Sequence, residues 1–207
     1  MKIGFNMLLW TTHLVEDQFD LLEKIKKVGY DGVEIPIFGG EEKVEHFQNI
    51  GKVLKENGLD CTSVTVIPDE DRSPISNDPV ARSKSLDYLK WAIDCSAALN
   101  SEVLAGPYHQ PLGIFSGDPP TQKEKEFAAK VHQDAADYAK QASLDLSIEP
   151  LNRFECYFLN IAEANILVVH ITHSLIILLM KKKLSKNLLV NFHLQKMKNL
   201  FKKYCGV

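Results

Sequence analysis

Apolar positions along the chain switch repeatedly between two periods, a short β-like run and then a longer helical stripe. Lys2 to Asn6 is a short apolar strand. Leu14 to Val28 places apolar residues at 14, 15, 19, 21, 22, 25 and 28, the spacing of an amphipathic helix that Gly29 should stop. Tyr30 to Pro36 predicts a second strand closed by its proline. Glu41 to Asn57 predicts a second helix, with Val44, Phe47, Ile50, Val53 and Leu54 on one face and Gly58 at its end. Leu59 to Ile67 is rich in β-branched residues and predicts a third strand. A polar loop then leads into a long helix over Val80 to Leu99. Glu102 to Gly106 is a fourth strand, and Pro107 to Pro120 is a Gly/Pro-rich loop too long to be a mere connector. Thr121 to Ala142 predicts a fourth helix and Leu144 to Ile148 a fifth strand.

Five βα units in strict alternation predict a parallel α/β architecture. No Gly-x-Gly-x-x-Gly turn follows a strand, so a (β/α)8 barrel is expected rather than a dinucleotide-binding sheet. A whole barrel takes about 250 residues. The residues after Ile148 are too few for three more units, so the expectation is a partial (β/α)8 barrel.

Composition changes the picture at one place. All 27 Asp and Glu residues precede Ala164, and the stretch from Lys181 to Val207 is rich in lysine with no acidic residue. A folded domain usually mixes the two signs. The expected organisation is a barrel-like unit over 1–163 and an atypical basic, apolar tail over 164–207. Asn165 to Met180 is apolar enough to suggest a membrane segment or a buried helix. It falls short of the ~20 residues a span needs, and it contains Asn165, His170 and His173. The preferred reading is that the tail is translated out of frame. Shifted codons can yield a His-Pro, Gly, Thr-Phe, His and Glu-Glu series, and the coding DNA decides that reading.

Elsewhere composition mainly excludes. A formal charge of -3 points away from nucleic acid. Four scattered cysteines with no C-x-x-C pair argue against a zinc knuckle or disulfide framework, and for free thiols in a reducing cytosol.

Candidate chemistry gathers where strands end. Glu149 follows the fifth strand, as a metal ligand or acid–base group, or else as a loop carboxylate paired with Arg153. Glu155 lies six residues on and can reach the same mouth if the loop curls back. Two carboxylates beside a polyol can hold a divalent cation and move protons at carbon. Glu34 ends the second strand. His109 lies in the loop after the fourth, where solvation or a place at the mouth are both open. Trp10 and His13 follow strand one and could line an apolar side of a sugar pocket. His46 and His132 fall on helices and carry no expected chemistry.

The run Glu149-Pro-Leu-Asn-Arg-Phe-Glu155, then Tyr157-Phe-Leu-Asn160, resembles the D-tagatose 3-epimerase and D-psicose (allulose) 3-epimerase family of xylose-isomerase-like enzymes. Gly29-Tyr-Asp-Gly-Val-Glu-Ile35 and Ala105-Gly-Pro-Tyr-His-Gln-Pro-Leu-Gly113 resemble it too, and the likeness covers about residues 1–163. It implies a TIM barrel, a small ketose substrate and a manganese, cobalt or magnesium ion. It makes Glu149 the first metal ligand and the group that exchanges a proton at the epimerised carbon. Glu155, with Glu34 and His109, would contact the sugar. The family's further Asp, His, Arg and last-strand Glu have no counterpart in this sequence. The implied enzyme would therefore be weak or inactive; a cytoplasmic location and association as a homo-oligomer are separate expectations. The alternative is a non-catalytic half-barrel that associates through its open edges.

Overall fold

The computed structural model describes residues 2–158 and the short segment 176–178. Its strands are β1 (Gly4–Asn6), β2 (Gly32–Pro36), β3 (Asp60–Val64), β4 (Val103–Gly106), β5 (Asp145–Ile148) and β6 (Ile176–Leu178). Its helices are α1 (Phe19–Val28), α2 (Val44–Glu56), α3 (Pro79–Ala98) and α4 (Gln122–Gln141). Every strand pairs in parallel with its sequence neighbour, in the order β1-β2-β3-β4-β5-β6. A doubly wound sheet reverses its strand order partway. This one does not reverse, which is the winding of a barrel wall.

The expected elements form with trimmed ends, and the end residues explain why. The helix expected from Leu14 starts at Phe19, after a 3-10 turn over Glu16–Gln18. It stops at Gly29, whose left-handed φ of 104° lets its N–H close the last turn onto Ile25 and Lys26 carbonyls. Asp78 caps α3 by accepting from the Val80 N–H, with Pro79 at the first helical position. α4 begins with a reciprocal capping box. Thr121 Oγ1 accepts from the Glu124 N–H at 3.2 Å, and Glu124 Oε2 accepts from the Thr121 N–H at 2.6 Å.

Strand register sorts the side chains into two faces. Ile35 sits beside Ser63, Ser63 beside Leu104, and Leu104 beside Leu146. Ser63 Oγ donates to Ser96 Oγ of α3 at 2.9 Å, so this row faces the helices. There Val33, Ile35, Leu104, Leu146 and Ile148 form one buried cluster with Leu22, Ile25, Ile50, Leu54, Leu89, Ile93 and Ala135. Such burial is the main stabilising term. The alternate row, facing away from the helices, holds Asn6, Glu34, Thr62, Ala105 and Ser147. Side chains for chemistry therefore come from the row that the helix layer does not bury.

The sixth strand lies inside the apolar stretch 165–180. Ile176–Leu178 pairs in parallel with Leu146–Ile148, so at those residues the chain is extended rather than helical. The rest of that stretch, the lysine-rich continuation and the boundary expected at 163/164 lie outside the described residues. Among the described residues no helix is long and apolar enough to cross a membrane.

Candidate active site

The site is built at the C-terminal ends of β1, β2, β4 and β5. Asn6 and Glu34 are register partners on the face turned from the helices. Asn6 Nδ2 donates to Glu34 Oε2 at 2.6 Å. Glu34 stands in the middle of β2 rather than at its end. Burial pushes the Glu34 carboxyl above the ordinary carboxylate range, and the negative charge of Glu149 adds to that shift. The Asn6 hydrogen bond opposes it. Glu34 and Glu149 thus sense one another across the sheet, although 115 positions separate them in sequence.

Glu149 follows β5 directly, and its N–H donates to the Gly106 carbonyl at 2.9 Å, extending the ladder one residue past the strand. By alternation it shares the face of Ser147 and Glu34. Gly106 holds the junction on the other side. Its φ is +135°, and a Cβ there would stand 2.1 Å from the Thr65 carbonyl oxygen. Only glycine fits that approach.

Glu155 is exposed, on a loop that does curl back over the β4 side. Its carbonyl accepts from the Gly113 N–H at 2.9 Å, and its carboxylate accepts from the Asn152 side chain. Arg153 lies over the Phe154 ring, 5.2 Å from its centroid. His109 was open to solvation on sequence grounds, but it is completely buried. Burial pushes its imidazole down to about 3, helped by the neighbouring His132, while the backbone of Glu149 acts in the opposite sense. The ring packs on Phe158 at 6.2 Å, and it meets the Glu149 backbone outside good hydrogen-bond geometry. His109 thus lies beneath the mouth, against the backbone that carries Glu149.

The two sides of the mouth differ in how their polar groups are satisfied. On the β2–β3 side Thr65 Oγ1 donates to the Ile37 carbonyl at 2.7 Å, leaving the Tyr88 hydroxyl to donate to Thr65 Oγ1 at 2.9 Å. Arg72 Nη1 donates to the Gly39 carbonyl at 2.8 Å, and Trp91 Nε1 donates to the Glu42 carbonyl at 2.8 Å. On the β4–β5 side Ser147 Oγ is buried without a partner among the described residues, while the Tyr108 hydroxyl and the His109 ring approach only the backbone of Ser147 and of Glu149, outside good hydrogen-bond geometry. Buried polar atoms are normally paired, so a cluster of exceptions is a place for function.

Trp10 is exposed on the loop after β1. His13 stacks on His46 with ring centroids 5.0 Å apart, and its Nε2 lies 3.6 Å from Glu42 Oε2. His132 is buried, its two ring nitrogens 2.7 Å from the Ala128 carbonyl and 3.2 Å from the Tyr108 carbonyl. Asn6, Tyr108, Gln110 and Ser147 had not been singled out from the sequence. Asn6 could have been found, since alternation from Phe5 places it on the open face of its strand. An amide or hydroxyl inside a loop carries no comparable signal.

Among the described residues no three His, Cys, Asp or Glu side chains group as a metal site. A hard divalent ion takes six or more oxygen ligands. Glu149 and Glu34 do not by themselves fit such an ion.

Fold and site together define a class. The chain belongs to the xylose isomerase-like TIM barrel family, whose family model matches residues 22–179. Among curated relatives, it is 26% identical over 165 residues to a probable ketose 3-epimerase of Synechocystis sp., covering 77% of this chain and 55% of that one. It is 26% identical over 172 residues to a D-psicose 3-epimerase of Agrobacterium fabrum, covering 82% and 59%. Among solved structures, an L-ribulose 3-epimerase superposes with a TM-score of 0.78 at 22% identity, covering 86% of this chain and 60% of that one. At that identity the superposition speaks for the fold. The chain spans a little over half the length of these relatives.

Proposed function

We propose that the chain carries one side of a ketose 3-epimerase site, with Glu149 as the group that moves a proton at the carbon beside the ketose carbonyl. The observation that carries this reading is the coupling of Glu34 and Glu149 at the mouth. Burial and the nearby charge of Glu149 both raise the affinity of Glu34 for a proton. Glu149 takes the proton from carbon 3, the C–H pair forms the double bond between carbons 2 and 3, and the carbonyl π pair moves to oxygen to give an enediolate. Glu34, whose proton is held more tightly, and Glu155 bond the sugar hydroxyls, while His109 supports the site from below. Inversion requires a second acid to return a proton to the opposite face. The resemblance matches no residue here to the family's last-strand glutamate, and of the ligands of its manganese, cobalt or magnesium ion it matches only Glu149. Weak or absent epimerisation follows. A reducing cytoplasm suits the three buried unpaired thiols of Cys61, Cys95 and Cys156.

One base suffices to exchange a proton, and two are needed to invert the carbon. D-Fructose incubated with the purified chain in deuterium oxide, with and without added Mn2+, should therefore gain deuterium at carbon 3 with little D-psicose formed. Glu149→Gln should abolish the exchange. Full epimerisation would overturn the impairment. No exchange at all would favour the other reading, a non-catalytic half-barrel that associates with other copies. That reading draws on the exposed Ile3, Leu8 and Leu9 on either side of β1, the first strand of the sheet. Size-exclusion chromatography separates the two.

A further inference from the structure

The loop after β4 and the loop after β5 are joined through one side chain. Gln110 is completely buried, and its amide is saturated. Its Oε1 accepts from the Phe158 N–H at 2.7 Å and from the Tyr157 N–H at 3.2 Å. Its Nε2 donates to the Pro111 and Ile114 carbonyls, each at 3.1 Å. Two accepted and two donated bonds use the whole capacity of a primary amide. Half of those bonds go to its own loop and half to the other.

Around this joint the two loops touch repeatedly. The Gly113 N–H donates to the Glu155 carbonyl at 2.9 Å. The Tyr157 hydroxyl donates to Glu124 Oε1 at 2.6 Å, which ties the second loop to the capping box of α4. Glu155 is therefore bracketed, held at its own carbonyl and at the two residues that follow Cys156. Its exposed carboxylate stands on a backbone that cannot shift independently of the β4 loop. Burying so many polar groups is tolerable only when all are paired, which makes the arrangement all-or-none.

We infer that Gln110 is a positioning residue that sets where Glu155 meets the sugar. This rests on the proposed assignment of Glu155 as a substrate contact. Gln110 itself has no exposed surface and acts only through the second loop. Gln110→Met keeps the length and volume of the side chain and removes all four hydrogen bonds.

The test is a double-mutant cycle read by D-fructose affinity, together with hydrogen exchange of segment 151–158 in the full chain. Gln110→Met should weaken D-fructose binding about tenfold in the wild-type background and less than twofold when Glu155 is already Gln, because coupled residues are not additive. It should also speed exchange in 151–158 about tenfold, with exchange in 32–36 unchanged. A merely structural role would give equal losses of affinity in both backgrounds, or faster exchange in both segments, and either result overturns the inference. Unchanged exchange in 151–158 overturns it as well. If the wild-type chain binds no D-fructose but Gln110→Met still frees segment 151–158, the functional reading falls and the joint between the loops stands.

Discussion

The β2–β3 and β4–β5 sides of the mouth are made of the same parts, parallel strands with long loops folded over their ends, yet they treat buried polarity in opposite ways. Around β2 and β3, Thr65, Tyr88, Arg72 and Trp91 each direct a polar group to a loop carbonyl or to one another. That side is sealed, and its loops behave as wall. Around β4 and β5, Tyr108, His109 and Ser147 bury polar atoms that lack well-formed hydrogen bonds among the described residues, while Gln110 and His132 are satisfied. Leaving a buried polar atom unpaired costs about 1–3 kcal/mol. A fold carries such a cost where the chemistry is, and the unpaired atoms border the backbone of Glu149. Unpaired buried atoms gather beside β4 and β5, although His46 Nε2 on α2 and Ser85 Oγ on α3 also lack a partner among the described residues.

The largest effect should come from the seam between the two sides. Gly106→Ala drives a Cβ into the Thr65 carbonyl at a positive φ. It should cost at least about 3 kcal/mol, or prevent folding, as seen in denaturant titrations. A near-neutral alanine would mean that β3 and β4 can part without harm, and the two sides would no longer share a rigid seam.

Acid should find the working side next. His109 is held neutral, with its pKa pushed down from 6.5 to about 3 mainly by burial. Between those values the unfolded chain binds more protons than the folded one. Its contribution is therefore intact above 6.5 and is lost as the pH falls, at roughly 1.4 kcal/mol per pH unit for this one group. His109→Phe keeps a ring against Phe158 and should flatten the decline between pH 6.5 and pH 5 in urea melts. An equally steep decline in the variant would shift the acid response to other groups.

The smallest effect is the most direct comparison. Tyr88→Phe removes a hydroxyl that bonds Thr65 and should cost about 1 kcal/mol. Tyr108→Phe removes a hydroxyl that meets only the Ser147 backbone, outside good hydrogen-bond geometry, and should cost about 0.5 kcal/mol or less. Thermal melts of the two variants side by side decide it. Equal losses would erase the distinction between sealed and poised sides.

Much of this architecture was legible in the sequence because it is local. The stripe over residues 19–28 and the stop at Gly29 need only neighbours three and four apart. The strand-end position of Glu149 followed from the apolar run before it. The state of His109 was not legible. A Gly/Pro-rich loop looks solvated, and only its packing against Phe158 and the backbone of Glu149 buries the ring. The pairing of Asn6 with Glu34 depends on register, which residue types alone do not state. Gln110 stood inside a quoted motif, but an amide shows its importance only through the carbonyls and N–H groups around it.

The strand order has a consequence for how the protein is made. Each strand lies against the one translated just before it, so every new unit leaves the ribosome with its docking edge already formed. Pairing each strand with its sequence neighbour limits each closure to one βα unit rather than the whole chain. Glu34 can wait on the second strand, bonded to Asn6, until Glu149 arrives on the fifth. The two glutamates then meet by successive addition of adjacent units, without a long-range search.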